Sequence, residues 1–332
     1  MSITIKDVAK ETNLAMSTIS KYMNGGNVRP KNREIIEEAV KRLGYHPNDI
    51  ARGLRSTKTR TVGIVVSSFD THMVQILNGI EKTLRANGYF PIICSHRDSL
   101  EKANQAIHFL MEKRVDGIIV EGILTSQKYV LPILDREIPL LGLETITDNL
   151  AMDYVVADGA TGSYQAVEEL VKRGHTKVGI ISGPEGYYTA RERLRGYLRV
   201  FEDYEIEVKK EYIIEGDYTY QSGYEGICRL WRLEQPPTAV FICNYNMCLG
   251  AVAAINQLGI HMPAELSLVT FDDMEFSRIV RPHLSSFRQP LEKMGIQAAQ
   301  ILVKRMNGDY GDFPKKVRLK GEFISRDSVR CV

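Results

Sequence analysis

The chain of 332 residues contains five cysteines, a single tryptophan and no long run of apolar residues. The cysteines form no C-x-x-C pair and no cluster with histidine, so neither a disulfide framework nor a metal site is expected. No apolar stretch is long enough to span a membrane, and the first residues lack the features of a signal peptide. We therefore expect a globular cytoplasmic protein of two or three domains that does not bind a membrane.

Motifs of the common catalytic sites are also missing. The sequence has no G-x-S-x-G nucleophile turn, no Walker phosphate loop and no H-E-x-x-H zinc motif. The seven histidines are scattered along the chain, and the glycines at 159 and 162 are typical of a loop rather than of a dinucleotide fingerprint. These absences predict a binding protein that is not an enzyme and uses no cofactor.

The net charge of +2 conceals an uneven distribution. Residues 1–60 contain 12 Lys and Arg against 6 Asp and Glu, a net charge of +6, whereas the remainder contains 31 against 35, a net charge of −4. A small basic segment attached to a mildly acidic body is the electrostatic pattern of a protein that binds nucleic acid.

The basic segment begins with the pattern of two short helices joined by a turn. Thr4 and Asp7 have the spacing of a capping pair, which predicts a helix start. Asn13 follows this helix and tolerates the left-handed backbone of a tight turn. A second helix is predicted from about Met16, with Ile19 facing inward.

A third helix is predicted from Pro30 to the glycine at 44. Its apolar face is expected to comprise Ile35, Ile36, Ala39, Val40 and Leu43. Two short helices joined by a turn and supported by a third form a helix-turn-helix, which places the second helix in the major groove of DNA.

Five motifs of this all-α segment occur in a fixed order and spacing: ITIKDVA (3–9), STIS (17–20), MN (23–24), LGY (43–45) and PNxxARxL (47–54). They resemble the head of the LacI (lactose repressor) family of transcriptional regulators. The resemblance implies a regulator, most often a repressor, that binds a palindromic operator in double-stranded DNA as a homodimer.

By this resemblance, Met16, Ser17 and Lys21 are the residues that read base edges. Contacts to phosphates, which position the head without specifying sequence, are expected from Thr4, Thr18, Tyr22 and Asn24. Asn13 and Ala15 depart from the usual turn glycine and capping serine of the family. We expect Ala15 to weaken the start of the second helix by about 1 kcal/mol.

A hinge is expected between the head and the body. The expected hinge, residues 48–55, is too short to form a stable helix by itself in water. The resemblance implies that it becomes helical when two copies pair in the minor groove. Leu54 matches the apolar wedge that opens the central base step, although a linker leucine could instead pack on the body. The other hinge contacts to DNA are expected from Ala51, Arg52 and Arg55.

From Thr61 the pattern changes to short apolar strands that alternate with helices. Strands are predicted at 62–66, 91–94, 116–120, 139–143, 177–181, 213–215, 239–242 and 268–271. Alternating strands and helices predict an α/β fold with doubly wound parallel sheets, and two such series predict two lobes.

The motifs of the body are RGH (173–175), ISGP (181–184), EGDY (215–218), PTAVF (237–241) and SLVxFDD (267–273). They resemble the effector-binding core of the LacI family, which is similar to periplasmic sugar-binding proteins. The resemblance implies a head, a hinge with linker and a core, at 1–46, 47–60 and 61–332. The N-lobe would comprise about 61–158 and 288–318, and the C-lobe about 159–287 and 319–332. A small ligand is expected between the lobes, beyond the carboxyl ends of the strands.

The resemblance also implies which residues bind the effector. Arg193 matches the arginine that grips the ligand across the cleft, and Asp272 matches the acid that accepts its hydrogen bonds. A guanidinium and a carboxylate suit a polyol, although either residue could instead belong to a structural ion pair. Tyr218 matches an aromatic position that stacks on ligand rings. Weaker candidates are Ser67, Ser68 and Asp158.

Departures from the family pattern leave the identity of the effector open. His72 and Met73 replace an aromatic pair, and Tyr245 replaces an acid, so that the helix cap shifts to Asn244. A carbohydrate or sugar phosphate is the first expectation and a nucleobase or nucleoside the second. A sugar-binding transport protein is a distant alternative, because the DNA-reading head argues against it. Release from DNA by the ligand is favoured over the opposite response.

Overall fold

The computed structural model describes residues 3–23, 26–45, 58–97, 99–122, 127–147 and 150–332. The chain divides into two compact units, Met1–Thr59 and Arg60–Val332. Each unit has a hydrophobic core of its own. The predicted limits of the hinge stay a prediction, because residues 46–57 lie outside the described ranges.

The described residues of the first unit form three helices, α1 (Ile5–Thr12), α2 (Met16–Met23) and α3 (Pro30–Leu43). The carboxylate of Asp7 accepts hydrogen bonds from the backbone N–H and the hydroxyl of Thr4, each at 2.7 Å. Asn13 ends α1 in the left-handed region at φ 54°. The predicted capping pair, turn and helix-turn-helix are therefore confirmed.

The core of this unit is formed by Val8, Ile19, Ile36 and Ala39, which are all buried. Ile35 was expected on the same face but is exposed. The buried face of α3 follows positions 36, 39, 40 and 43, and the preceding residue is rotated about 100° away from it. The predicted contribution of Ile35 to the core is wrong.

The second unit is built from two α/β lobes. Its first half runs through β1 (Thr61–Val66), α4 (Thr71–Ala86), β2 (Phe90–Ser95), α5 (Leu100–Glu112), β3 (Gly117–Glu121), α6 (Gln127–Leu134), β4 (Leu140–Leu143), β5 (Asp153–Ala157) and α7 (Gly159–Lys172). Its second half runs through β6 (Val178–Ser182), α8 (Tyr188–Asp203), a 3₁₀ turn (Lys210–Tyr212), β7 (Ile213–Glu215), α9 (Tyr220–Trp231), β8 (Ala239–Ile242), α10 (Tyr245–Gln257), β9 (Ser267–Phe271), α11 (Glu275–Ile279), β10 (Ser285–Arg288), α12 (Leu291–Met306), β11 (Lys316–Leu319) and β12 (Glu322–Ile324).

The strands form two six-stranded sheets. The order of the first is β11-β5-β4-β3-β1-β2, and its neighbouring strands are parallel. The order of the second is β12-β10-β9-β8-β6-β7, in which only β12 is antiparallel to its neighbour. The chain passes between the sheets three times: after β5, after β10 and after β11. The predicted doubly wound α/β architecture is confirmed.

Four strands were not predicted, and three of them, β10, β11 and β12, lack a continuous apolar run. β11 and β12 are short edge strands with half-exposed residues. β10 contains two buried serines, and β5 begins with the buried acid Asp153. The guanidinium of Arg305 binds this carboxylate through two nitrogens at 2.8 and 3.0 Å, and this ion pair offsets the free-energy cost of burying the charge.

Helices α4 and α12 pack closely against each other beside the first sheet. A Cβ atom on the glycine at 79 would lie 2.2 Å from the carbonyl oxygen of Glu292, and one on the glycine at 295 would lie 2.0 Å from that of Ile76. Only glycine allows the two backbones to approach in this way. The packing fixes the first turn of α4, from which His72 and Met73 face the site described below. Within the described ranges, no helix combines the length and apolarity needed to cross a membrane.

Candidate functional site

Helix α2 presents the predicted base-reading side chains to solvent. Met16, Ser17 and Lys21 are exposed, whereas Ile19 is fully buried on the opposite side of the helix. Ser17 and Lys21 are four residues apart and therefore lie on one helical face. The structure thus brings the three residues together on one exposed surface.

The predicted phosphate contacts are placed differently. The hydroxyl of Tyr22 donates to Oε1 of Glu37 at 2.8 Å, and this hydrogen bond raises the pKa of Tyr22. The hydroxyl of Thr4 is engaged by Asp7, and Thr18 is half-buried. Because a hydroxyl has one proton to donate, Thr4 and Tyr22 must exchange their present partners to donate to a phosphate.

The remaining DNA-binding residues that the sequence predicts lie outside the described ranges. They are Asn24 and, in the predicted hinge, Ala51, Arg52, Leu54 and Arg55. Their roles stay predictions.

In the second unit, a cavity of about 420 Å³ lies where the carboxyl ends of strands from both sheets converge. The first sheet contributes Ser67 and Ser68 after β1, Glu121 at the end of β3 and Glu144 after β4. The second sheet contributes Asp217 to Tyr220 after β7, Asn244 after β8 and Asp272 after β9. This is the position expected for the ligand of an open α/β sheet.

Five of the six predicted effector residues line this cavity: Ser67, Ser68, Arg193, Tyr218 and Asp272. Asp158 is not among the lining residues. Its carboxylate instead accepts a hydrogen bond from the backbone N–H of Thr161 at 3.2 Å and caps α7. The structure therefore does not support its assignment to the effector site. The sequence suggested this role because a helix-capping acid and a ligand-binding acid can both directly follow a strand.

Asp272, which lines the cavity, has a strained backbone conformation. Its φ is +83°, in a region that non-glycine residues rarely adopt, and the φ of Tyr218 is +66°. The Asp272 carboxylate accepts hydrogen bonds from the backbone N–H of Tyr245 at 3.1 Å and from Nε2 of Gln289 at 2.6 Å. These contacts hold an acceptor at the cavity wall.

The guanidinium of Arg193 lies between aromatic rings. Its central carbon is 4.1 Å from the ring centre of Phe271 and 6.0 Å from that of Tyr218. One terminal nitrogen donates to the carbonyl oxygen of Cys243. The Nε atom is buried and has no hydrogen-bond partner in the described part of the chain. Arg193 therefore retains a donor for a ligand.

His72 joins acids of the two lobes. Its Nε2 is 3.2 Å from Oε1 of Glu144, and its Nδ1 is 3.7 Å from Oδ1 of Asp272. Burial by itself would lower the pKa of His72, but the negative charges of Glu144, Asp272 and Asp70 outweigh it, so the pKa is raised. The imidazole is held toward its protonated form.

A second cavity of about 450 Å³ lies on the outer side of α8 and is lined by Arg191, Arg195 and Arg199 among others. It contains none of the predicted effector residues. Its larger volume is therefore no argument for a ligand site, whereas the convergence of strand ends is the feature expected of one.

Comparison with known proteins identifies the family of the chain. Residues 4–48 match the family model described as bacterial regulatory proteins, lacI family, and residues 167–329 match that of a periplasmic binding protein-like domain. Catabolite control protein A of Priestia megaterium is 32% identical over 315 residues, covering 94% of this chain and 95% of that protein. The chain belongs to the LacI family. It is a DNA-binding transcriptional repressor with a helix-turn-helix head and an effector-binding core.

Other LacI-family proteins share its full length. The transcriptional repressor PurR of Proteus mirabilis (strain HI4320) is 32% identical, covering 98% of this chain and 96% of that protein. The lac repressor dimer bound to operator and the anti-inducer ONPF superposes with a TM-score of 0.90 at 26% identity, covering 99% and 100% of the two chains. A complex of the regulator CelR with cellobiose gives a TM-score of 0.75 at 27% identity, covering 98% and 99%. These relatives are regulators rather than enzymes.

Two acids of this LacI-family cavity were missed in the sequence. Glu121 and Glu144 each follow a buried apolar strand, which is the position at which ligand-binding residues of parallel sheets collect. The strand ends were predicted, but the order β4-β3-β1 that brings the acids together was not. The predicted shift of the cap on α10 is confirmed, since Asn244 Oδ1 accepts from the N–H of Met247 at 2.9 Å.

Proposed function

We propose that the protein acts in the bacterial cytoplasm as a homodimeric repressor of a palindromic operator, under the control of a small hydroxylated ligand. The observation that carries the proposal is the cavity in which Arg193 offers a buried, unpartnered donor beside the strained acceptor Asp272. Donors and acceptors on one wall match the hydroxyls of a carbohydrate, each of which both donates and accepts.

Two heads are needed for a specific operator. The exposed face of α2 offers only three base-reading side chains, and two-fold symmetry doubles the number of bases contacted. The structural relative bound to operator is a dimer. Homodimerisation follows from the same requirement for specificity.

Contacts across the cleft suggest how a ligand acts at the DNA. Besides His72 and Asp272, Nε2 of Gln75 on α4 is 3.3 Å from the sulfur of Met274, and Asn246 Nδ2 is 3.5 Å from Oδ2 of Asp70. A ligand that bridges the lobes shifts the balance among such contacts and thereby displaces one lobe relative to the other. In a dimer this displacement changes the spacing of the two hinges.

A nucleobase or nucleoside is the second candidate ligand. Four tyrosines line the cavity, and two of them, Tyr187 and Tyr218, already form an edge-to-face pair with ring centres 5.8 Å apart. Flat aromatic rings stack on such surfaces. The carbohydrate is preferred because charged and amide groups, rather than tyrosines alone, form the inner wall.

The test combines ligand binding with DNA selection. Thermal-shift measurements against neutral mono- and disaccharides, cellobiose among them, and against nucleobases identify the ligand class. Arg193→Ala should abolish the shift, whereas Arg191→Ala should not. Arg191 is on the same helix and donates to the carbonyls of Glu185 and Gly186, outside this cavity. Selection from random duplex DNA should yield an inverted repeat. A monomer on the selected DNA in sedimentation, or equal ligand responses of the two variants, contradicts the proposal.

A further inference from the structure

The inner wall of the cavity carries more buried negative than positive charge. Glu121, Glu144 and Asp272 are 7%, 8% and 3% exposed, and the cations beside these three acids are Arg193, which is 4% exposed, and His72. Burial of a charge without a partner is costly, and proteins reduce the cost by pairing the charge or by shifting its pKa. The three acids differ in how far they are paired.

Asp272 and its neighbour are well compensated. Asp272 accepts from Tyr245 and Gln289. Asp273, which faces away from the cavity, binds the guanidinium groups of three arginines, Arg278, Arg288 and Arg326. The negative charges of Asp272 and Asp273 are therefore stabilised by these partners.

Glu121 and Glu144 are not compensated in this way. The register of β3 and β4 pairs Glu121 with Leu143, so Glu144 follows directly beside it. Glu121 accepts a hydrogen bond from the backbone N–H of Ser67 at 2.6 Å, and the side chain of Ser67 also hydrogen-bonds to it. Glu144 has its ion-pair contact with His72. In the described part of the chain, no lysine or arginine nitrogen lies within ion-pairing distance of either carboxylate.

Burial and the surrounding negative charge raise the pKa of both acids. Burial and the negative charge of Glu144 raise the pKa of Glu121 to about 7. Burial also raises the pKa of Glu144, against the opposing charges of His72 and Arg193. The groups that face this pair are His72 and Asp70 from α4, Arg193 from α8 and Asp272 after β9. A cation bound beside these two acids would offset the cost of burying their charges.

We propose that the effector is a hydroxylated amine, such as an amino sugar, whose ammonium group binds Glu121 and Glu144 while its hydroxyls meet Arg193 and Asp272. The proposal rests on the function proposed above, because the same cavity is used. An ammonium group supplies three donors and one positive charge to two acids that have only His72 between them as an ion-pair contact. A phosphate group is excluded at this end of the cavity, since it would face the same acids.

Isothermal calorimetry with matched sugars tests the charge of the ligand. The pairs are glucose with glucosamine and galactose with galactosamine, and glucose 6-phosphate is added as the anionic probe. At least one amine should bind about tenfold or more tightly than its neutral partner, as charge-assisted hydrogen bonds do. Its affinity should rise between pH 5.5 and pH 7, because Glu121 must lose its proton. Glucose 6-phosphate should bind more weakly than glucose.

Variants locate the effect. Glu144→Gln and Glu121→Gln should remove the preference for the amine but leave weak binding of the neutral sugar. Glu215→Gln is the matched control, because Glu215 also ends a strand but binds the backbone N–H of Glu185 outside this cavity. It should keep the full preference.

The outcomes separate this inference from the proposed function. If a neutral sugar binds as tightly as its amine, and Arg193→Ala abolishes both, the sugar site stands and the amine is wrong. A measurement without ligand gives an independent check. Removal of the charge of Glu121, which has no ion-pair contact in the described part of the chain, by Glu121→Gln should raise the midpoint of thermal unfolding at pH 8, and an unchanged or lower midpoint overturns the inference.

Discussion

Nδ1 of the His72 imidazole lies 3.7 Å from the carboxylate of Asp272, and this contact connects the first helix of one lobe to the end of β9 in the other. The pKa of His72 is raised by the surrounding acids. A histidine with a raised folded-state pKa stabilises the fold below its unfolded pKa, and this contribution is lost as the pH rises through the folded value.

The contribution of His72 should therefore depend on pH. His72→Gln should lower the midpoint of thermal unfolding at pH 6 and have a smaller effect at pH 8.5. Differential scanning calorimetry of both proteins at the two pH values measures this. A difference that grows toward alkaline pH would show that the imidazole acts as a neutral packing group. His261→Gln is the control, since His261 pairs with Glu265 on the surface.

The cluster around Asp273 should be important for stability. Its side chain is completely buried, and hydrogen bonds from Arg288, Ser286, Arg326 and Arg278 overcome the cost of burial and lower the pKa of Asp273 to about 2. Asp273→Asn should cost about 3 kcal/mol in the free energy of unfolding at pH 7, because it leaves arginines without their partner. Urea denaturation measures this. The control is Glu322, an exposed acid whose carboxylate lies 2.9 Å from Arg288. Glu322→Gln should lower the free energy of unfolding by less than about 1 kcal/mol.

Lys21 should determine sequence preference. Lys21→Ala should weaken operator binding by about 10-fold to 150-fold, the effect of losing one good base contact, and weaken binding to random DNA far less. Fluorescence anisotropy at fixed salt gives both affinities. Lys31→Ala, an exposed lysine in the first turn of α3, is the control. Equal losses on operator and random DNA would assign Lys21 to a phosphate.

The prediction for Leu54 comes from sequence, because this residue lies outside the described ranges. Leu54→Ala should weaken binding to the operator far more than binding to random duplex. Loss of an apolar wedge removes the bend at a deformable central step but leaves the phosphate contacts in place. Competition binding with both DNAs measures the ratio, and an unchanged ratio would indicate that Leu54 packs as part of a linker.

Local signals in the sequence predicted most of the fold. The capping pair of Thr4 and Asp7, the turn at Asn13 and the apolar runs of the central strands act within a few residues, and the structure confirms them. The edge strands β11 and β12 have no such run, since only part of each is buried. Their position depends on partners that are distant in the chain.

The site was predicted in part for a similar reason. Arg193 and Asp272 lie within family motifs, whereas Glu121 and Glu144 become neighbours only through the lateral order of the strands. Asp158 was predicted to bind the effector because it directly follows a strand, but its carboxylate caps a helix instead. Periodicity gives the strands, and contacts between distant residues decide which strand-end side chains share a cavity.

The account requires that the cavity controls DNA binding. The direct test is titration of the selected operator with wild type, Arg193→Ala and Arg191→Ala, each with and without the sugar that binds most tightly in calorimetry. Wild type and Arg191→Ala should lose affinity for operator by about 5- to 150-fold when ligand is added, which is the usual range of allosteric coupling. Arg193→Ala should bind operator normally and show no change with ligand. A full ligand response in Arg193→Ala would contradict the account.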